Sequence, residues 1–446
     1  MPAIPTIEYI ERRKKLAEQM KPGSALVVFS AKELMRNADA NFLFRQDSYF
    51  WYLTGFNEPD SVLVVIKSDD KHFHSILFNR ERDVEAEIWN GKRLGQDSVK
   101  EVLNIDRAYK IEEIDKHLPS LLNGLDTLYY AQNSYQYADD TIFKTLNKLR
   151  SGVKQGLTAP SQIIDWRPIL DEMRLFKSEH ELKVIRYACE ISVEGHLAAM
   201  RACKVGMVES QLEGEILYKF SQLGARNPSY NSIVGGGENG CILHYTENNN
   251  VLKDNELVLI DAGAEYQNYA GDITRTFPVN GKFTQEQRDI YNIVIGMLDT
   301  ALAHLKPGNT IELAMDKAID VLLEGFIKLG ILQGDKEILK RDKAYKPFFM
   351  HGLSHWLGLD VHDVGAYGSV TKDRPLEPNM VLTVEPGIYI QPNSKNVPSK
   401  YWGIGIRVED DIVITKEGHE NLTLRAVKYP DEIELFMQNS RNKANS

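Results

Sequence analysis

Apolar positions in the first third of the chain follow two rhythms. TIEYIERRKKLAEQM spaces its apolar residues as a helix does, and the helix is predicted to end near Lys21-Pro22-Gly23. Three apolar runs follow, ALVVFS, SVLVVIK and HSILF, each bounded by polar turn residues as buried strands are. Between the first two lies RNADANFLFRQDSYFWYLTGF, polar and aromatic, expected as an ordered loop. Arg12-Arg13-Lys14-Lys15 is expected as a solvated helix face. The texture changes at DWRPILDEMRLFKSEHELKVIRYACEIS, where Ser178 and Glu181 have capping-box spacing ahead of an apolar-periodic helix. A boundary is placed at residues 172–177. Beyond it the pattern reads helix pair, strands, helix pair, strands, which suggests an internal duplication around a shared sheet. The expected class is α/β (α+β): a mixed α/β domain over 1–172, a second domain over 173–440 and a frayed polar tail over 441–446.

Length agrees, since 446 residues exceed what one compact core holds. Hydrophobic residues make up 43% and charged residues 26%, a soluble globular balance. The net charge of −10 argues against nucleic acid or an anionic membrane as main partner. No apolar run approaches the roughly 20 residues that cross a bilayer. MPAIPTIEYIERR lacks the charge-then-apolar order of a signal peptide. The three cysteines form no C-x-x-C, and an odd number suits no disulfide framework. A reducing, cytoplasmic setting is expected.

Candidate chemistry lies in the C-terminal half. Asp261 ends LVLID and Asp272 opens GDITRTF, so two antiparallel strands can bring both carboxylates to one face. Aspartates beside glycine are also common in turns. HGLSHWLGLDVHD groups His351, His355 and His362, without the glutamate of a zinc-binding H-E-x-x-H helix. Glu385 and Glu409 interrupt the apolar runs VLTVEPG and GIGIRVEDDIVI, where a carboxylate needs a partner or a metal. For Glu409 the plain alternative is an ion pair with Arg407. Alternation turns Asp410 away from Glu409 and returns Asp411 to its side. Four carboxylates and an imidazole make a hard donor set that balances two divalent cations, which points to a dinuclear hydrolytic centre.

Two motifs are set aside. Gly235 to Gly240 match G-x-G-x-x-G, but CILHYTENN after them reads as strand and turn where a dinucleotide site needs a helix. A tight loop positioning His244 is expected instead. Cys241 has no orienting partner for a nucleophile and is assigned to the core.

These segments, with RQDSYFWYLTGF, AEIWNGKRLGQD and WRPILDEMRLFKS, resemble the bacterial aminopeptidase P (Xaa-Pro aminopeptidase) family, within the clan of methionine aminopeptidases, prolidases and creatinase. The resemblance spans nearly the whole chain. It implies a pita-bread catalytic domain with pseudo-twofold symmetry behind a creatinase-like N-terminal domain. It implies two metals on Asp261, Asp272, His355, Glu385 and Glu409. Four carboxylates against one imidazole favour Mn²⁺, with Co²⁺ able to substitute. The implied reaction releases the residue that precedes proline from a peptide's N-terminus. Glu385 would carry the proton, and His244 and His362 would stabilise the developing charge. His351, Tyr389 and Arg407 would line the proline pocket. Membership also implies a homotetramer in which Asp39 and Trp89 border a neighbour's site. The alternatives are a prolidase and a metal-free peptide-binding member of the clan.

Overall fold

The computed structural model describes residues 1–444. The chain divides into two compact units, Ile4–Arg174 and, together with Met1–Ala3, the chain from Leu175 onward.

The N-terminal unit is built on a six-stranded sheet in the order Arg107–Lys110, Phe73–Asn79, Val62–Lys67, Ser24–Phe29, Thr127–Tyr129, Gln162–Ile164. Val62–Lys67 runs antiparallel to both neighbours and the other pairs are parallel. The three apolar runs are its central strands, and Ala25, Val27, Val64, Ile76 and Phe78 form the core they share. The first helix, Thr6–Gln19, splits its basic stretch. Lys14 and Lys15 are exposed, but Arg12 and Arg13 are buried. Arg12 donates to Tyr52 O at 3.0 Å, and Arg13 donates to Leu53 O and Leu103 O at 2.9 Å each. Those carbonyls end helices Ser48–Thr54 and Gly95–Leu103, where helix geometry leaves acceptors unpaired. Half of the expected solvated face is therefore an internal cap. The aromatic segment is also more regular than a loop. Met35–Asn37 and Ala40–Asn41 form a small exposed hairpin, and Asp47 caps helix Ser48–Thr54 by accepting from Phe50 N at 2.9 Å.

In the C-terminal unit the order of elements repeats. Helices Glu179–Ala202 and Glu209–Gln222 precede an antiparallel triplet of Ile233–Gly236, Leu257–Asp261 and Thr274–Pro278. Helices Gln285–His304 and Ile311–Leu329 precede a second triplet of Val381–Val384, Asp410–Ile414 and His419–Asn421. The capping box at Ser178 and Glu181 is formed, with bonds of 3.2 and 2.9 Å. The final helix, Pro430–Ala444, takes in much of the expected frayed tail. Arg441 explains this by donating to Val279 O at 3.0 Å and to Asn280 O. Residues 445–446 of that tail lie outside the described residues.

One irregularity shapes the site. The ladder of Val381–Val384 with Asp410–Ile414 stops at Val384 opposite Asp410, and a separate pair resumes at Gly387 opposite Arg407. Glu385 and Glu409 occupy the break, so they lie between strands rather than inside them. The backbone there is held from outside the pair. Glu385 N donates to Leu353 O at 2.9 Å and Glu409 N to Thr274 O at 3.0 Å.

Behind the break, fully buried Asp410 faces Arg275 at 2.6 Å and also pairs with Lys428. Asn421 and Thr423 complete its bonds at 2.7 and 3.1 Å. Burial alone would raise this carboxyl, but the two cations hold it well below the ordinary aspartate range. Asp410 therefore adds stability above its unfolded-state value of about 4, and the contribution falls away as the pH drops through the range below that. Asp410→Asn should cost about 3–5 kcal/mol at pH 7, because two buried cations lose their counter-charge. The gap from wild type in urea denaturation should narrow below about pH 4. A gap that is small, or constant down to pH 3, would contradict this account.

Candidate active site

Asp261 ends strand Leu257–Asp261 and pairs in register with Thr274; Asp272 lies two residues before Thr274. The connection between the aspartates crosses itself closely. A Cβ on Gly263 would sit 1.7 Å from Gly271 O, so no side chain fits there. The two carboxylates meet at Tyr230, whose hydroxyl lies 2.5 Å from each. A phenol has one hydrogen, so both contacts are satisfied together when one carboxyl is protonated.

His355 Nδ1 lies 3.0 Å from Trp356 O. A carbonyl only accepts, so Nδ1 carries the hydrogen and Nε2 turns inward. Nε2 stands 3.5 Å from Asp272 and 3.4 Å from Glu385. Thr274 Oγ1 donates to Glu409 at 2.6 Å. Ligand atoms of Asp272, His355 and Glu409 come within 4.8 Å of one another.

Crowding shows in the proton affinities. Burial raises Glu385 to about 7, with Asp272 and Asp261 repelling its charge against the pull of His355. Burial and three neighbouring carboxylates push Glu409 well above the usual range. Burial also raises Asp261, against Arg407. Asp272 goes the other way, because bonds to His355 and Tyr230 outweigh its burial. His355 rises to about 9 despite burial, held by Asp272 and Glu385. Without a metal, the centre thus neutralises itself with protons. The donor set fits a metal: hard oxygen ligands, one inward imidazole nitrogen and surplus negative charge.

Behind this donor set runs a relay. Arg407 donates to Asp261 at 2.6 Å, to Thr274 Oγ1 at 3.0 Å and to Tyr389 OH at 2.9 Å. The plain alternative for Glu409, an ion pair with Arg407, is not what forms; that guanidinium goes to Asp261. Tyr389 OH lies 2.8 Å from His351 Nε2, and His351 Nδ1 lies 2.7 Å from Gly352 O. Burial, then the nearby Arg407 charge, lowers His351 to about 4. It is neutral at pH 7: Nδ1–H donates to the carbonyl, and Nε2 accepts from Tyr389. Tyr389 is wholly buried and Arg407 nearly so. Both support His351 and Asp261 from behind rather than presenting a surface.

His362 and His244 are exposed. The ring of His362 stacks on His355 with centroids 4.0 Å apart. Burial and the charges of His355 and His244 lower its proton affinity. The glycine-rich stretch ahead of His244, expected as a tight loop, is the end of strand Ile233–Gly236 followed by a short 3-10 helix, Gly237–Cys241, and turns follow it where strand and turn were expected. Its close packing is visible at Gly405, where a Cβ would lie 2.2 Å from the backbone of Gly240. Cys241 is buried and its thiol is pushed up to about 12 by burial, which suits core rather than nucleophile. Asp39 and Trp89 belong to the N-terminal unit, where both are exposed.

Several residues escaped the sequence reading. Thr274 shares the Asp272 face by alternation, a signal that was present. Asp411, whose inward side was expected but not its partner, accepts from Asp272 N at 2.9 Å and from Cys189 at 3.2 Å, so it orients Asp272. Lys177 forms a buried pair at 2.9 Å with Asp363, the residue after His362. Tyr230, in RNPSYNS, has no pattern that marks it.

Comparison with known proteins identifies relatives of the whole chain. The model of metallopeptidase family M24 matches residues 183–416, and that of the aminopeptidase P N-terminal domain matches residues 9–129. The chain is 58% identical to the Xaa-Pro aminopeptidase of Escherichia coli K12, over 98% of each chain. It superposes with a TM-score of 0.97 on an E. coli aminopeptidase P variant in complex with substrate, covering 98% of this chain and 99% of that one. A zinc-substituted form of that enzyme in complex with product matches with the same TM-score, 0.97, identity and coverage. Fold and site together define a metal-dependent peptidase with a pita-bread catalytic domain. The chain belongs to metallopeptidase family M24.

Metal uptake has a measurable consequence. His355, raised to about 9, carries a proton at pH 7 that metal binding through the imidazole would displace, and the raised proton affinities of Glu385 and Glu409 act in the same direction. Loading metal-stripped protein should release protons at pH 7, seen by calorimetry in buffers of different ionisation enthalpy. Affinity should weaken as the pH falls from 8 to 6. Uptake without proton release would show that the centre is not neutralised as described.

Proposed function

We propose that this chain is an Xaa-Pro aminopeptidase, a metal-dependent exopeptidase that removes the first residue from peptides with proline in second position. The observation that carries this reading is the relationship itself: 58% identity over 98% of each chain to an enzyme of that name. The dense carboxylate centre at the broken strand pair supports it.

The residues we propose would hold two divalent ions are Asp261, Asp272, His355, Glu385 and Glu409. The bound cations would polarise the carbonyl and make water a nucleophile near neutral pH. Mn²⁺ is the proposed metal, because oxygen donors outnumber nitrogen four to one; Co²⁺ should substitute. Glu385, raised to about 7 in the metal-free centre, is the proposed proton carrier. It takes the proton from water and delivers it to the leaving nitrogen, which in proline has no hydrogen of its own. His244 and His362, both exposed, are the proposed donors to the carbonyl oxygen as charge develops there. Neutral His351 borders the proline position, and Tyr389 and Arg407 fix its tautomer and place.

We further propose a cytoplasmic homotetramer. The three cysteines are unpaired and buried, as suits a reducing compartment. Among the described residues no helix is long and apolar enough to cross a membrane. The segments holding Asp39 and Trp89 expose Leu34, Met35, Phe42, Ile88 and Trp89, the last 85% accessible. Apolar groups this exposed support a surface that a second subunit covers.

A peptide panel with Mn²⁺ tests the activity. Xaa-Pro-Yaa should be cleaved, with Xaa-Ala-Yaa and the dipeptide Xaa-Pro poor substrates. Preference for the dipeptide would make the chain a prolidase, and no turnover with any divalent ion would make it a binding protein. Activity regained with Zn²⁺ but not Mn²⁺ would overturn the metal assignment. The assembly is tested separately: Ile88→Asp with Trp89→Ala should shift the light-scattering mass from tetramer toward smaller species. A wild-type mass equal to one chain would remove the proposal.

A further inference from the structure

His244 makes no side-chain hydrogen bond to any described residue, so the backbone around it sets its position. That backbone is a long excursion from the end of strand Ile233–Gly236 to Asn250. Two buried side chains close its base. Asn248, at a left-handed φ of 46°, accepts from Val234 N at 2.9 Å and donates to Ser232 O at 2.9 Å. The other is Glu209, the first residue of helix Glu209–Gln222 and fully buried.

Glu209 is unusual in what it binds. Its Oε1 accepts from Gly236 N at 2.8 Å and Asn239 Nδ2 at 3.1 Å. Its Oε2 accepts from Tyr245 OH at 2.8 Å and Asn250 N at 2.9 Å. Its own amide donates to Asn250 O at 2.9 Å. All four donors to the carboxylate belong to the excursion, two before His244 and two after it, one on the adjacent residue. No cation is among these bonding partners. A buried carboxylate satisfied wholly by neutral donors holds their geometry tightly, since each lost bond leaves a desolvated group unpaired.

We propose that Glu209 is the positioning residue for His244, fixing where that imidazole meets the substrate carbonyl. The inference rests on the reading of His244 as a donor to the developing charge. Glu209→Gln is the suitable change: it keeps shape and volume, but its amide nitrogen must face a backbone N–H, that of Gly236 or that of Asn250. The fold should survive, and the loop should shift.

A double-mutant cycle on an Xaa-Pro-Yaa tripeptide, with metal loading measured in every variant, tests this. His244→Ala should lower kcat by on the order of 10²-fold, the scale of one lost charge-stabilising donor. Glu209→Gln should lower kcat by about tenfold or more with metal content unchanged, because small misplacements of a reacting group cost rate steeply. In the His244→Ala background it should add less than about twofold. An equal penalty in both backgrounds, or metal lost in step with activity, would overturn the proposal. An unchanged kcat in His244→Ala alone would overturn the reading of His244, and this inference with it. Should Glu209→Gln fail to fold, Tyr245→Phe removes a single donor and should show the same coupling at smaller size; an additive effect there would equally refute it.

Discussion

Mutual repulsion among buried carboxylates is the constraint on which the rest of the catalytic unit depends. Asp261, Asp272, Glu385 and Glu409 are drawn from two strand groups and converge where little water can screen them. Such charges are tolerated only with counter-charge, protons or metal. Each neighbour answers that need in its own way. Arg407 faces Asp261, His355 stands between Asp272 and Glu385, and Tyr230 and Thr274 supply hydroxyl protons. The surplus that remains is what a metal ion could neutralise.

The constraint also explains the broken ladder. A continuous strand pair would commit the amides and carbonyls at Glu385 and Glu409 to each other. Pleating would then set the direction of both side chains. With the ladder stopped, Leu353 O and Thr274 O take the two amides, and the carboxylates leave the pair together. Arg275 secures the same place from behind, donating to Thr274 O at 2.9 Å and Glu409 O at 2.5 Å. The duplication of helix pair and strand triplet matters for the same reason. It brings one set of aspartates and one set of glutamates to a common centre.

Much of this was legible in the chain because period and polarity conflict at the key positions. A glutamate inside VLTVEPG or GIGIRVEDD needs a partner or a metal, with only an ion pair to Arg407 as the plain alternative for Glu409, and three histidines in one segment strengthen the case. The central strands and the capping box at Ser178 were legible for a similar reason, since local rules decide them. What stayed hidden depends on distant partners. Arg12 and Arg13 read as solvated until the helix ends they cap are brought to them. The helix at Ser48–Thr54 was obscured by aromatic residues of no helical preference, although Asp47 marks its start. Tyr230 and Glu209 carry no periodic signature, because their roles come from chain crossings far away in sequence. Tyr389 and Arg407 were placed near the substrate by resemblance, and no pattern in the chain shows their burial or their bonds to each other and to His351 and Asp261.

Glu409, Asp410 and Asp411 show how little residue type decides by itself. Three consecutive carboxylates have three fates. Glu409 leaves the broken ladder toward the centre, meets Thr274 and is pushed well up by its neighbours. Asp410 turns to the opposite face, meets Arg275 and Lys428 and is held well down. Asp411 returns to the inner side but stops one layer short, on the amide of Asp272, where burial and Asp272 push it up. Alternation along a strand assigns the faces, and the partners on each face assign the chemistry. The carboxylate centre is therefore a product of register: a slip of one residue would exchange the group at the centre with the one between two buried cations.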